Sequence, residues 1–382
     1  MTLDARYPAI CDLRDRARRR IPHFVWEYLD SATGDEAGKR RNRAALDAVT
    51  LLPSILHGEL DIDLSTGLLG QTYSLPVGIA PVGMSGLIWP NAEQHLVRAA
   101  GTLNVPYTLS TVATQTPEDV APHIGANGWF QLYPPRDEDI RRDLLKRAKA
   151  AGFHTLVLTV DVPVASRRER QLRSGLQQPP KLTPRLFAQV CMRPAWALGT
   201  ARLGMPRMRL MDEYAARVAG PTEGLSSTAH VGYLLRTSPD WGYLTWLRDH
   251  WDGALVVKGC LDPGDVPALE AAGVDALWVS NHAARQFAGG PAPIDVLPQF
   301  RAATQLPLIF DSGIEGGLDI LRAIALGADF VMLGRAWHYA LGALGADGPA
   351  HLANILRRDL EANMGQLGIA RLADTKTRLH RP

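Results

Sequence analysis

From residue 76 onward the apolar and polar positions of the chain settle into a repeat. Short runs of Val, Ile, Leu and aromatic residues at 77–82, 106–110, 128–132, 154–160, 254–259, 275–280, 307–311 and 328–333 alternate with stretches of helical periodicity. Runs this short and this continuously apolar fit strands buried on both faces, as in a parallel sheet. The stretches between them carry helix punctuation: Pro117-Glu118-Asp119 and Pro263-Gly264-Asp265 stand near starts, and Gly152, Gly273 and Gly327 near ends. Eight such repeats predict an α/β fold, a (β/α)8 TIM barrel. A doubly wound sheet is the alternative, but no G-x-G-x-x-G follows the first run, so the nucleotide fingerprint of that fold is missing.

Two segments stand outside the repeat. Residues 8–30 form an N-terminal helical extension, punctuated by Pro22 and carrying an aromatic face of Phe24, Val25, Trp26, Tyr28 and Leu29. Residues 161–253, between the fourth and fifth runs, are far too long for one crossover and must hold an insertion. From Ser174 to Met211 the insertion has Lys181, Arg185, Arg193, Arg202, Arg207 and Arg209 and no acid. It also carries Leu182, Leu186, Phe187, Val190, Trp196, Leu198 and Met208. A basic, apolar segment of this kind suits an anionic membrane surface. It equally suits a mobile lid packed on the barrel or on a neighbouring subunit, and the sequence leaves both open. The expected organisation is one domain over 1–382, with the barrel at about 76–345 and the mobile or membrane-associating insertion at 174–230.

Composition narrows the partners. At 382 residues and 46% hydrophobic content the chain can bury a large core. Lys+Arg 41 against Asp+Glu 39 leaves a net charge of +2, which gives no global attraction for nucleic acid. Cys11, Cys191 and Cys260 are widely spaced, which argues against a metal site or a disulfide framework and fits a reducing cytoplasm. The arginines at 14, 16, 18, 19 and 20 precede no apolar segment of signal-peptide type, and no run is apolar enough to span a bilayer.

Barrel enzymes assemble their sites at the carboxyl ends of the strands. Here those ends carry Pro81-Val82-Gly83, Ser110, Gln131 and Tyr133, Thr159 and Asp161, Lys258, Ser280 and His282, Asp311-Ser312-Gly313, and Gly334-Arg335. His282 can take a proton near neutral pH, and Arg285 can grip a carboxylate through paired hydrogen bonds. The glycine turns after the last two runs suit a phosphorylated ligand. Lys258 is a cation at a strand end, and Ser110, Gln131 and Thr159 offer neutral hydrogen bonds, a set that suits the flat heteroaromatic ring of a flavin. A Schiff-base lysine is the rival role.

At this point a resemblance becomes specific. Ser280-Asn281-His282-x-x-Arg285-Gln286, then Pro291-Ala292 and Ile294-Asp295-x-Leu297-Pro298, are similar to the signature of the FMN-dependent α-hydroxy acid dehydrogenase and oxidase family. Gln131-Leu132-Tyr133, Leu158-Thr159-Val160-Asp161-x-Pro163, Arg167-Arg168-Glu169 and Val257-Lys258-Gly259 support it, in the same order. The resemblance implies bound FMN and oxidation of an L-2-hydroxy acid to the 2-oxo acid. It implies that His282 is the general base, with Asp161 orienting it, that Arg168 and Arg285 bind the substrate carboxylate, and that Tyr28 and Tyr133 contact substrate oxygens. Pro81, Val82, Gly83, Ser110, Gln131, Thr159, Lys258 and Ser280 would contact the flavin, with Asp311, Gly313, Gly334 and Arg335 in the ribityl and phosphate region. A homo-oligomer, by resemblance a tetramer, is also implied.

The departures from the family are informative. Ala283 and Ala284 stand where glycine is usual in at least one place, so the loop is expected to take a backbone shape open to alanine. Ala288 replaces a frequent aspartate, and Glu315 replaces an arginine near the phosphate, where it would repel. Val112 and Ala165 replace the tryptophan and leucine of short-chain glycolate oxidases, so the acid should be bulkier than glycolate, of lactate or mandelate class. Gly83 matches several dehydrogenases and, with the basic insertion, favours a quinone or carrier over oxygen. The expected setting is the cytoplasm, peripherally on the inner membrane face through 174–211. Two rival readings are an FMN oxidoreductase of another substrate, such as a peptide-derived metabolite, and a non-catalytic phosphate-ligand barrel.

Overall fold

The computed structural model describes residues 2–176, 183–215 and 237–380. All eight apolar runs become strands: β1 (Val77–Ile79), β2 (Tyr107–Ser110), β3 (Gly128–Leu132), β4 (Thr155–Thr159), β5 (Ala254–Cys260), β6 (Ala276–Val279), β7 (Leu308–Phe310) and β8 (Phe330–Leu333). They pair in parallel and in chain order, and β8 closes on β1 through Val331 opposite Val77 and Leu333 opposite Ile79. A closed parallel barrel excludes the doubly wound alternative.

Side chains on each strand divide between two environments because their directions alternate. Trp129, Val157, Val256, Trp278, Ile309, Phe330 and Met332 fill the barrel interior, and the alternate positions join the larger core beneath the helices. A hairpin of Thr66–Leu68 and Gln71–Tyr73 adds Leu68 and Tyr73 to the interior cluster, with Tyr73 edge-on to Phe330 at 5.6 Å. With its interior packed, the barrel has only the carboxyl end left for a site.

The N-terminal extension is built into that end. Helix Ile10–Arg20 buries Leu13 and Ala17 against helix Arg335–Leu344, where a Cβ on Gly342 would lie 3.0 Å from the Ala17 Cβ. Helix His23–Asp30 is tied to the segment after β4 by Arg170, whose guanidinium donates to Glu27 at 2.6 and 3.0 Å, to Asp30 at 3.0 Å and to Glu36 at 2.8 Å. Of the insertion, residues 177–182, Lys181 and Leu182 among them, and 216–230 lie outside the described residues; the described part includes helices Pro184–Cys191, Pro194–Leu203 and Arg209–Ala215. Leu186, Trp196 and Met208 are buried, and the Trp196 indole donates to the Leu87 carbonyl at 2.9 Å. Phe187, Met192, Leu198, Leu203 and Met205 are exposed. Among the described residues, no helix is long and apolar enough to cross a membrane.

One loop departs from expectation. After β6, His282, Ala283 and Ala284 all have positive φ, of 54°, 54° and 57°. The backbone is therefore left-handed, the region that disfavours alanine rather than the alanine-compatible shape expected. Left-handed L-residues crowd Cβ against the following carbonyl, at about 1–2 kcal/mol each. Side-chain acceptors hold the turn: Ser280 Oγ takes the His282 N–H at 3.0 Å, Ser312 Oγ the Ala283 N–H at 2.9 Å, and Asn281 Oδ1 the Ala284 N–H at 3.1 Å. Gly38 leaves the room Ala284 needs, since a Cβ there would sit 2.7 Å from the Ala284 Cβ.

Two stability predictions follow from these contacts. Ala283→Gly relieves the left-handed strain and should raise unfolding stability by up to about 1 kcal/mol in urea titration. Arg170→Ala removes the paired hydrogen bonds on buried Glu27, while Asp30 keeps Arg14, Lys39 and Tyr339, and should lower it by about 2 kcal/mol in the same measurement.

Candidate active site

The carboxyl mouth of the barrel opens into a cleft of about 1690 Å³. Tyr28, Pro81, Val82, Gly83, Tyr133, Arg168, Lys258, His282, Arg285, Asp311, Gly313, Gly334 and Arg335 all line it. Ser110, Gln131, Thr159 and Ser280 are buried at the strand ends in its wall, and Asp161 stands behind His282. The site residues expected from sequence are thus brought to one end of the barrel. Leu186, Phe187, Val190, Trp196, Met205 and Met208 from the insertion also line the cleft, so the described insertion helices form part of its roof.

His282 reaches its position through the left-handed turn. Its Nδ1 lies 3.0 and 3.2 Å from the two Asp161 carboxylate oxygens. An Nδ1–H donated to that carboxylate leaves the lone pair of the neutral ring on Nε2. Burial drives the His282 pKa below its ordinary value, although Asp161 pulls the other way. For Asp161 burial opposes ionisation, yet the His282 ring and the Lys258 ammonium hold its carboxyl below the usual range. The approach depends on a bare backbone at Gly259, φ 107°, where a Cβ would fall 2.6 Å from the Asp161 Cβ. A register shift in β5 between Lys258 and Cys260 accommodates that glycine.

Both arginines are poised for an anion. Arg285 donates to the carbonyls of Leu29 at 3.0 Å, Ser31 at 2.8 Å and Tyr28 at 2.8 Å, where helix His23–Asp30 ends. Burial, and then the facing charge of Arg168, depress the Arg285 pKa. Two guanidinium groups that repel one another across a cleft favour an anion between them, and a carboxylate is such an anion. Arg168 sits at φ 46° with its Nε on Ser166 Oγ at 3.1 Å. The Tyr28 hydroxyl donates to the Gly83 carbonyl at 2.8 Å. Burial raises the pKa of both Tyr28 and Tyr133, with Asp161 adding to the rise at Tyr133, so both phenols stay protonated.

The strand ends fit a flavin. Gln131 Nε2 and Thr159 Oγ1 are buried and have no hydrogen-bond partner among the described residues. Orphaned groups at adjacent strand ends call for a ligand with complementary donors and acceptors, such as the pyrimidine edge of an isoalloxazine. Ser110 Oγ donates to the Gln131 Oε1 at 2.8 Å, which orients that side-chain amide. Lys258 Nζ lies 2.7 Å from Ser280 Oγ and 3.0 Å from Asp311 Oδ2, supplying the fixed cation. Glu315 lines the cleft beside Gly313.

Sequence reasoning missed several supporting groups. Arg170 sits one position beyond the recognised Arg167-Arg168-Glu169, and its three carboxylate partners lie more than 130 residues earlier. Asn42 and Asn281 exchange amide hydrogen bonds of 2.9 and 2.7 Å, fixing the turn from a distant helix. Ser312 and Gly38 act through contacts that no local pattern encodes. The site of the lost aspartate, Ala288, is tied instead through its carbonyl, which accepts from Arg41 at 2.9 Å.

Comparisons with known proteins agree with this geometry. The model of the family described as FMN-dependent dehydrogenase matches residues 17–382. An L-lactate dehydrogenase of Pseudomonas aeruginosa is 40% identical over 361 residues, covering 93% of each chain. One from Stenotrophomonas maltophilia is 39% identical over 371 residues, covering 96% of each. Among solved structures, the monotopic membrane protein (S)-mandelate dehydrogenase superposes with a TM-score of 0.90 at 32% identity, over 98% of this chain and 99% of that one. The chain therefore belongs to the FMN-dependent dehydrogenase family, and is an FMN-dependent oxidoreductase whose reaction, at the level of that family, is oxidation of a 2-hydroxy acid.

Proposed function

We propose that this enzyme oxidises an L-2-hydroxy acid of the lactate or mandelate class, with His282 as the proton acceptor and Arg168 and Arg285 as the carboxylate clamp. The observation that carries the reading is an imidazole hydrogen-bonded to a carboxylate, opening with two guanidinium groups onto one cleft. Bound FMN supplies the two-electron acceptor. Arg168 and Arg285 draw in the substrate carboxylate and fix the carbinol carbon relative to the imidazole. His282 Nε2 takes the proton, and Asp161 stabilises the resulting imidazolium through Nδ1. The Tyr133 phenol donates to a substrate oxygen, the Tyr28 phenol exchanges the Gly83 carbonyl for another, and the roof of insertion side chains keeps water out.

Substrate size rests on Val112 and Ala165, small residues that both line the cleft. The lactate dehydrogenases at about 40% identity and the mandelate dehydrogenase fold point the same way. Gly83 and the exposed Phe187, Met192, Leu198, Leu203 and Met205 favour a membrane-borne quinone or carrier as oxidant, reached by peripheral contact of a cytoplasmic homotetramer with the inner membrane face. Among the solved structures a relative described as a monotopic membrane protein supports that contact.

The deciding experiment is anaerobic addition of glycolate, lactate, mandelate and longer 2-hydroxy acids to the yellow holoenzyme. Bleaching is expected with the larger acids, and the reading falls if none bleaches the flavin or if glycolate gives the highest kcat/KM. The pH profile follows from the sign of the His282 shift. A protonated ring cannot accept a proton, so kcat/KM should rise with pH through a midpoint below the ordinary 6.5 and then level off. His282→Gln should abolish that limb and lower kcat by about 10²–10⁴-fold. Gly83→Ala places a Cβ 2.7 Å from Val112 Cγ2. By the family pattern it should raise peroxide release relative to dye reduction, measured with an oxygen electrode.

A further inference from the structure

Beyond the residues carried by the family resemblance, the cleft extends under the N-terminal helices, past Gly313, Gly334 and Arg335, to Lys39 and Glu315. Glu315 brings negative charge to the corner where glycine turns would receive a phosphate. An acid there must be offset if a dianion is to bind.

The offset comes from Lys39 on helix Ala37–Ala48. Lys39 Nζ donates to the Asp30 carbonyl oxygen at 2.9 Å, and Arg335 Nη1 donates to that same oxygen at 3.3 Å. One acceptor therefore holds two cations side by side. The Asp30 carboxylate does not neutralise them alone, because it is shared by Lys39 at 3.2 Å, Arg14 at 3.2 Å, Arg170 at 3.0 Å and the Tyr339 hydroxyl at 2.8 Å. The other basic groups of the N-terminal helices that line the cleft are engaged by acids: Arg43 by Asp319 at 2.6 and 2.7 Å and Asp47 at 2.7 Å, Arg40 by Asp35 at 2.9 Å, and Arg14 by Asp30 at 3.2 Å. Glu315 favours the charged form of Arg14, whose guanidinium is paired with the Asp30 carboxylate. Lys39 and Arg335 are left as adjacent cations at the first turn of helix Arg335–Leu344, whose free N–H groups and dipole also favour an anion.

We propose that Lys39 and Arg335 together hold the FMN phosphate, Lys39 supplying from the N-terminal extension the positive charge that Glu315 takes from the barrel. Burial and the neighbouring Arg335 depress the Lys39 pKa, the penalty that a phosphate between the two cations removes. The inference rests on FMN as cofactor and not on the identity of the acid, so the hydroxy acid panel and the test below fail independently.

The test titrates the deflavinated full-length protein with FMN and with riboflavin, reading flavin fluorescence quenching. Lys39→Gln keeps a donor for the Asp30 carbonyl and removes only the charge. It should weaken FMN binding by about tenfold or more and leave riboflavin binding unchanged. Lys39→Arg should retain the preference for FMN over riboflavin. Glu315→Arg in the Lys39→Gln background should restore FMN affinity, because the cation is returned from the opposite wall. Equal losses for FMN and riboflavin in Lys39→Gln, or no loss for either, would overturn the proposal, as would Glu315→Arg failing to tighten FMN in that background.

Discussion

The hydrogen bond between Asp161 and His282 is the contact on which the arrangement of the site depends, and it constrains the backbone on both sides. Asp161 leaves β4 directly against β5, where only a residue without a Cβ can stand, and Gly259 with its positive φ is that residue. His282 leaves β6 through three consecutive left-handed residues. Each carries strain, and the strain is sustained because Ser280, Asn281 and Ser312 satisfy every amide of the turn. Strain of this kind persists where surrounding structure over-determines it, and such places are commonly functional. The imidazole is thereby oriented before any ligand arrives, while its burial favours the neutral form.

A second constraint is the management of positive charge. The cleft gathers Arg168, Arg285, Lys258, Lys39 and Arg335, of which Lys258 is buried and the others are partly so. Two are met by fixed acids: Lys258 by Asp311, and Lys39 by an Asp30 carboxylate that it shares with Arg14 and Arg170. The cations that face each other, Arg168 with Arg285 and Lys39 with Arg335, make two separate places where an anion replaces repulsion with attraction. A substrate carboxylate and a cofactor phosphate are two such anions. Electrostatic pre-organisation of this sort stores its cost in the folded chain, so that binding recovers it.

The N-terminal extension and the insertion then become parts of the site rather than appendages. The extension contributes Tyr28, the carbonyls that anchor Arg285, and Lys39. The insertion turns Leu186, Trp196 and Met208 inward over the cleft, sets the exposed Phe187 and Met205 along its lining, and leaves Met192, Leu198 and Leu203 exposed away from it. One amphipathic segment can therefore roof the cleft and present an apolar face outward.

The eight strands, the barrel and the strand-end chemistry were legible in the sequence because each is written locally. A short, continuously apolar run rich in Val and Ile between turn residues fits a strand buried on both faces, and a polar group just after it falls at the strand's end. The signature around His282 and the matches at Asp161, Arg168 and Lys258 add order to that pattern, enough to identify family and cofactor. What local pattern could not carry was anything set by two distant segments meeting. The left-handed turn at Ala283 and Ala284 contradicts the preference of alanine and exists only because Gly38, Asn42 and Ser312 close around it. Arg170 reads as one more arginine in a basic stretch until folding brings Glu27, Asp30 and Glu36 to it. Lys39 reads as a solvated helix charge until the Asp30 carbonyl places it beside Arg335. The chain's own order of residues determines the elements and the chemistry they can offer; which charges face each other, and which strained backbone survives, is decided only by packing, because those energies belong to pairs of residues that are remote in sequence.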